Sequence, residues 1–206
     1  MSQEPQPTKG ERTRQAILEE AKGLFISQGY TATSMRQIAQ AVGITPAAMY
    51  NYFDGKEEIF ATLLHEIAPL DRTFELFKAI EADSFEDLLH KAVRGMVDLV
   101  LSHEDYIQLG LIDAQERDGA TLITFLPQVF PRFLEFYQRL VALDAHQHRL
   151  RDIPTPIFMR TLISLIFGYL ITERVARPVE TLGLPEMDWV QGLVDIFLHG
   201  VLRSPP

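Results

Sequence analysis

TATSMRQIAQAVGITPAAMYNYFDGKEEIF, residues 31–60, compresses two helix starts, a glycine stop and a group of phosphate-seeking side chains into one span. Ser34 followed by Gln37 is a capping box, so a helix is expected to begin there and run through Arg36, Ile38 and Ala39 to Val42. Gly43 ends it, because glycine accepts the left-handed backbone that closes a helix. Thr45-Pro46 starts the next helix at once, with threonine as N-cap and proline in the first turn. Helix, short glycine turn and helix form the unit that sets a second helix into the major groove of DNA.

Outward from this pair, Ile38, Val42, Ile44 and Met49 are the apolar residues spaced to face inward, and Ala39 is small enough for the two helices to cross closely. Upstream, Thr8 and Glu11 form a second capping box. Ile17, Ala21, Leu24 and Phe25 then recur at helical spacing until Gly29. A third helix therefore buttresses the pair.

The segments LFISQGYTATSMRQIA and AVGITPAAMYNYFDGKEEIF resemble the DNA-binding domain of the TetR family of bacterial transcriptional regulators. The tokens are Gly29-Tyr30, Thr33-Ser34, Ile38-Ala39, Gly43-Ile44, Met49-Tyr50, Tyr52-Phe53 and Lys56, over about the first sixty residues. The resemblance implies an all-α fold. A three-helix helix-turn-helix domain, residues 1–54, would be followed by a helical effector-binding and dimerisation domain, residues 55–206. It also implies a homodimer on double-stranded DNA, a palindromic operator, and release by a small-molecule effector. Many members carry histidine or tyrosine where Tyr52 stands. Thr45-Pro46-Ala47-Ala48 is poorer in polar base readers than some relatives.

The chemistry of the expected DNA-binding residues follows from type and position. Lys56 falls in the first turn of a helix that Asp54 would cap and Glu57 would box, where the helix dipole disfavours a cation and a bound phosphate would resolve the conflict. Tyr50, Tyr52, Thr33 and Ser34 offer hydroxyls to neighbouring phosphates, contacts that fix register without reading sequence. Arg36 has the fork geometry for guanine, as the resemblance implies for this position, while Thr45 and Ala47 present methyl groups to thymine. The remaining specificity is expected from DNA shape. The plainer alternative makes the tyrosines ordinary packed aromatics and the two cations solvated surface charges.

The formal net charge is −9, unevenly spread: residues 1–60 hold six Lys+Arg against seven Asp+Glu, the remainder thirteen against twenty-one. DNA is thus expected to meet only the near-neutral end. The 206 residues are 47% hydrophobic and contain no cysteine, which fits a folded protein without disulfides or thiolate metal sites. The terminus MSQEPQPTKGERTR has no apolar segment of signal-peptide type, so a cytoplasmic protein is expected. Its first residues, with Pro5 and Pro7, read as a tail that could bring Lys9, Arg12 and Arg14 to DNA, or as a plain disordered terminus.

Beyond Gly55 the pattern is helical throughout. One helix carries Ile59, Phe60, Leu63, Leu64 and Ile67, with Pro69 kinking it before Phe74 and Phe77, and would link the two domains. Others are expected from Ser84 to about Val100, from Tyr106 to about Gln115, and from about Thr121 through Leu140, the last irregular near Pro127 and Pro131. Asp118-Gly119 marks a break. Residues 155–176 are apolar on nearly every face. A membrane span is the competing account, set aside because only the twelve residues 161–172 run without a charge. Residues 186–202 place Trp189, Leu193, Ile196, Phe197 and Val201 along one side. Pairing these two helices with their symmetry copies, as the resemblance implies, makes Ser164, Gly168, Trp189, Leu193 and Phe197 the dimer candidates.

Met96, Tyr106, Phe133, Tyr137 and Phe167, with Phe130 beside them, are soft and aromatic side chains that could line an effector pocket. Asp113, Glu116, Arg117 and Arg160 could point among them, and plain core packing is the alternative. No cofactor is implied. His146 and His148 near Asp144 and Asp152 could suggest a metal site, but a solvated loop explains them better. Without a glycine-rich phosphate loop or a GxSxG turn, the enzyme reading stands below the regulator reading. An architectural DNA-binding protein would not need the aromatic carboxy-terminal helices.

Overall fold

The computed structural model describes residues 8–144, 150–176 and 187–202. Among them the fold is all-α: ten α-helices, one 3-10 turn and a single isolated bridge between Leu150 and Leu202. The first helix, α1 (Lys9–Gln28), opens on the expected box. Thr8 Oγ1 accepts the Glu11 N–H at 3.2 Å and the Glu11 carboxylate accepts the Thr8 N–H at 2.6 Å. The second, α2 (Met35–Val42), repeats the device with Ser34 and Gln37, and Gly43 closes it in the left-handed region at φ 77°. In α3 (Pro46–Met49) Thr45 Oγ1 accepts the Ala48 N–H at 3.2 Å. The chain then continues as tight turns, Tyr52 and Phe53 both donating to the Met49 carbonyl.

The start of α4 (Lys56–Ile67) differs from the sequence expectation. Gly55 is the N-cap, with no side-chain cap bond. Glu58, not Glu57, reaches back, accepting the Asp54 N–H at 2.6 Å. Glu57 is engaged elsewhere, accepting the Tyr30 hydroxyl at 2.7 Å. The expected kinked linker is two helices, α4 and α5 (Leu70–Ala79), parted at Ala68 and Pro69. Proline has no N–H to continue α4, and its carbonyl instead accepts both the N–H and the hydroxyl of Thr73.

Ser84 caps α6 (Phe85–Leu101), its Oγ accepting the Asp87 N–H. Helix α7 (Glu104–Glu116) stops where Asp118 and Gly119 take positive φ, 53° and 70°. A 3-10 turn, Leu122–Phe125, leads into α8 (Leu126–Asp144), which contains Pro131. Helices α9 (Thr155–Ala176) and α10 (Trp189–Val201) complete the described chain.

The described residues pack as two compact units. The head comprises those up to Ala68 together with His103–Leu126, so α7 belongs with α1–α4. Ile17, Phe25, Ile38, Met49 and Phe60 are fully buried in it. The second unit comprises Pro69–Ser102 and the described residues from Pro127 onward. Its core is apolar and aromatic, with Phe77, Phe85, Leu88, Leu140, Phe158 and Phe197 at the centre.

Length and composition alone would allow Thr155–Glu173 to cross a bilayer, with mean hydropathy 1.5 over its window, so brevity does not exclude a span. Phe158, Met159, Leu162, Ile166 and Leu170 form one stripe buried in the second unit, while Ile157, Ser164, Phe167, Gly168 and Ile171 stay exposed on the other face.

Candidate nucleic-acid interface

The head presents α2 and α3 over a buried floor of Ile38, Ala39 and Met49. Arg36, Thr45 and Ala47 are exposed, and Tyr50 is 59% exposed. Gln40, which sequence reasoning did not single out, is exposed one turn after Arg36 and carries both a donor and an acceptor. Ser34 is exposed, but its hydroxyl already donates to Gln37 Oε1 at 2.7 Å while capping α2. Tyr52 is half-buried.

Two expected phosphate ligands are engaged within the protein. Thr33 is 1% exposed, and its hydroxyl donates to the Gly29 carbonyl at 2.7 Å. The Lys56 ammonium donates to the carbonyls of Tyr30 and Thr33, both at 2.7 Å, and lies 4.1 Å from the Tyr30 ring centroid. These residues lock the α1–α2 turn in place. The unfavourable cation at the start of α4 is thereby accommodated by oriented carbonyl dipoles. The backbone N–H groups of the first α4 turn are left without a side-chain cap.

Around the same turn, Phe25, Tyr30 and Phe60 form an aromatic cluster with centroids 5.1–5.7 Å apart. Arg117, the residue that caps the end of α7, lies 4.6 Å from the Tyr30 ring and 4.7 Å from that of Phe60. It is held there by Asp113, fully buried, at 3.1 Å. Asp113 also accepts the N–H groups of Thr121 and Leu122, which shapes the 3-10 turn. Glu116 accepts the Thr31 N–H at 2.7 Å. At Gly29, where φ is 88°, an added Cβ would stand 2.5 Å from Glu116 Oε1. Burial, then the hydrogen bond to Glu57, pushes the Tyr30 hydroxyl up to about 12. The Tyr30 hydroxyl holds the Glu57 carboxyl below its usual range, and the Thr31 amide does the same for Glu116.

These contacts correct the expectation that Asp113, Glu116 and Arg117 point into an effector pocket; they fasten the head. No local signal links Glu116 to Thr31, which lies 85 residues away. Arg14 is likewise part of the head, paired with Glu66 at 3.2 Å and stacked on Phe53.

Of the other pocket candidates, Tyr106 also belongs to the head, and Phe167 is 52% exposed on α9. Met96, Phe133 and Tyr137 are partly buried against the second unit's core. A cavity of about 20 Å³ beside Met96 and Phe133 is lined only by apolar side chains. That is room for one water at most, with nothing to bond it. Among the dimer candidates, Ser164, Gly168 and Trp189 are exposed and Leu193 is half-buried. Phe197 is 4% exposed and packs edge-on against Phe158, so it is core, whereas Ile196 beside it is 75% exposed. His146 and His148 lie outside the described residues. Among the described residues no group of three His, Asp or Glu is placed to hold a metal.

Residues 17–63, which span α2, α3 and most of α1 and α4, match the family described as bacterial regulatory proteins, tetR family. The transcriptional regulator SrpR of Pseudomonas putida is 29% identical over 96% of this chain and 89% of its own length. UidR of Escherichia coli K12, also a transcriptional regulator, is 26% identical over 96% of each chain. The crystal structure of NalD from Pseudomonas aeruginosa, described as the secondary repressor of the MexAB-OprM multidrug efflux pump, superposes with TM-score 0.63 at 28% identity, covering 95% of this chain and all of NalD. Residues 17–63 thus form a DNA-binding segment of the tetR type. The relatives matched over nearly the whole chain are transcriptional regulators, and α2–α3 is the helix-turn-helix through which this segment meets DNA.

Proposed function

We propose that this protein is a cytoplasmic, ligand-responsive repressor of the TetR family. As a homodimer it holds a palindromic operator and lets go when a small hydrophobic or amphipathic effector binds. The observation that carries the reading is the capped α2–α3 pair, which exposes Arg36, Gln40, Thr45, Ala47 and Tyr50 above a closed apolar floor. Arg36 reads a base and the methyl groups of Thr45 and Ala47 meet thymine. Tyr50, Tyr52 and the uncapped amides of α4 seat phosphates, with Ser34 capping α2 and Thr33 and Lys56 holding the turn that aims them. Residues 1–54 are assigned to DNA binding and residues 55–206 to effector binding and dimerisation, α7 bracing the first from within the second stretch.

The dimer is supported by apolar side chains left exposed on α9 and α10, among them Phe167, Ile171, Trp189 and Ile196. Repression, rather than activation, is supported by the likeness to NalD. Selection from random duplex DNA tests the reading: it should return a two-fold symmetric site with half-sites separated by whole helical turns, about 34 Å. Arg36→Ala should relax preference at one base pair per half-site, by about 1–3 kcal/mol. A uniform loss across operator variants would remove the base-reading role, and no salt-sensitive enrichment of any duplex would remove the proposal.

A further inference from the structure

Helices α5 and α8 leave a cleft of about 310 Å³ between them, lined by Phe74, Phe77 and Lys78 on one side and Arg132, Glu135, Phe136 and Arg139 on the other. The α5 residues are spaced i, i+3, i+4 and the α8 residues i, i+3, i+4, i+7, so each helix offers one continuous strip to the gap. The floor is aromatic: Phe77 stacks on Phe136 with centroids 4.4 Å apart. The Arg132 guanidinium lies 5.0 Å from the Phe74 centroid. Three cations and one carboxylate line the space.

The three cations are differently engaged. Arg132 pairs with Asp71 at 2.7 Å and Lys78 with Glu75 at 3.1 Å, but those carboxylates are 88% and 73% exposed and such pairs exchange readily with other anions. Arg139 is half-buried and donates to two backbone carbonyls, Phe77 O at 2.7 Å and Ile80 O, at the end of α5. A guanidinium has five N–H donors, so its charge and further donors remain for a ligand. The volume lies at the small end of the range for ligand sites, about 300–1,000 Å³.

We propose that this cleft binds a small organic anion with a flat aromatic body. The ring occupies the gap beside Phe74, Phe77 and Phe136, whose own rings are nearly buried in the core, and the anionic group replaces the exposed carboxylates of Asp71 and Glu75 on the basic rim. The site shares the Phe77 and Phe136 wall with the small cavity beside Met96, and none of the side chains expected to line an effector pocket contributes to it.

The test is calorimetric titration of the full-length protein with 2-naphthoate, beside its neutral isostere 2-naphthamide. Naphthoate should bind saturably, and both the amide and the Lys78→Gln/Arg132→Gln variant should lower the affinity by about tenfold, as expected for loss of charge-assisted bonds. Glu135→Gln removes the cleft's own carboxylate and should tighten naphthoate binding by about threefold, an effect that damaged folding would not produce. No saturable binding up to about 10 mM, amide binding as tight as naphthoate, or unchanged affinity in both variants would overturn the proposal. Because the readout needs no DNA, its failure leaves the operator reading standing, and failure of that reading leaves the cleft.

Discussion

The two compact units are held by different means. The head turns on a polar fastening: Lys56 on two carbonyls, Arg117 against two rings, Glu116 on the Thr31 amide. The second unit is held mainly by apolar contact, with Leu88, Leu89, Leu140 and Val194 among its fully buried side chains and Arg139 clamping the end of α5. Directional contacts fix one geometry, as a surface that must match a duplex requires. Apolar contacts tolerate repacking, which suits the unit proposed to answer an effector.

That contrast can be broken most sharply at Arg117. Arg117→Met keeps the side-chain bulk but leaves Asp113 buried without its cation, and should destabilise the head by about 3 kcal/mol in urea unfolding. The amides of Thr121 and Leu122 keep the loss from being larger. Gly29→Ala comes next. It forces a Cβ into positive φ and against Glu116, and should destabilise the head by about 1–3 kcal/mol. Hydrogen exchange should show the opening confined to the head, with amides of α6 unaffected.

Matched cap deletions sharpen the comparison further. Ser34→Ala and Ser84→Ala each remove one N-cap, and each should destabilise by about 1 kcal/mol. Only the first should also weaken operator binding. Glu116→Gln is the smallest. The Glu116 carboxyl sits below its ordinary 4.5, so its contribution is complete above that value and fades as pH falls through the lower folded value. Stability of the head, followed by tyrosine fluorescence, should therefore fall more steeply on acidification in wild type than in Glu116→Gln, in which one of the lowered carboxyls is gone.

Legibility in the sequence followed the range of the interactions. The boxes at Thr8 and Ser34, the stop at Gly43 and the Thr45-Pro46 start all act within four residues, and each is present in the fold. The bounds of residues 155–176 were readable for the same reason, because a nearly continuous apolar run is a local signal. The site was half legible. Exposure of Arg36, Thr45 and Ala47 follows from helix phase. The burial of Thr33 and the carbonyl grip of Lys56 depend on how α1, α2 and α4 meet. Glu57 was misplaced as the box residue because its partner, the Tyr30 hydroxyl, stands 27 positions away. Phe167 and Phe197 were each given the other's surroundings: the apolar stretch around Phe167 hides which side faces in, and on α10 burial falls on Phe197 rather than Ile196.

Because α7 is packed into the head while its chain neighbours are not, the backbone crosses between the units three times, after Ala68, Ser102 and Leu126. No single cut releases an intact operator-binding fragment. A truncation ending at Ala68 would leave Tyr30 and Phe60 without Arg117, and a chimaera that grafts this head onto another regulator must carry residues 103–126 along with it.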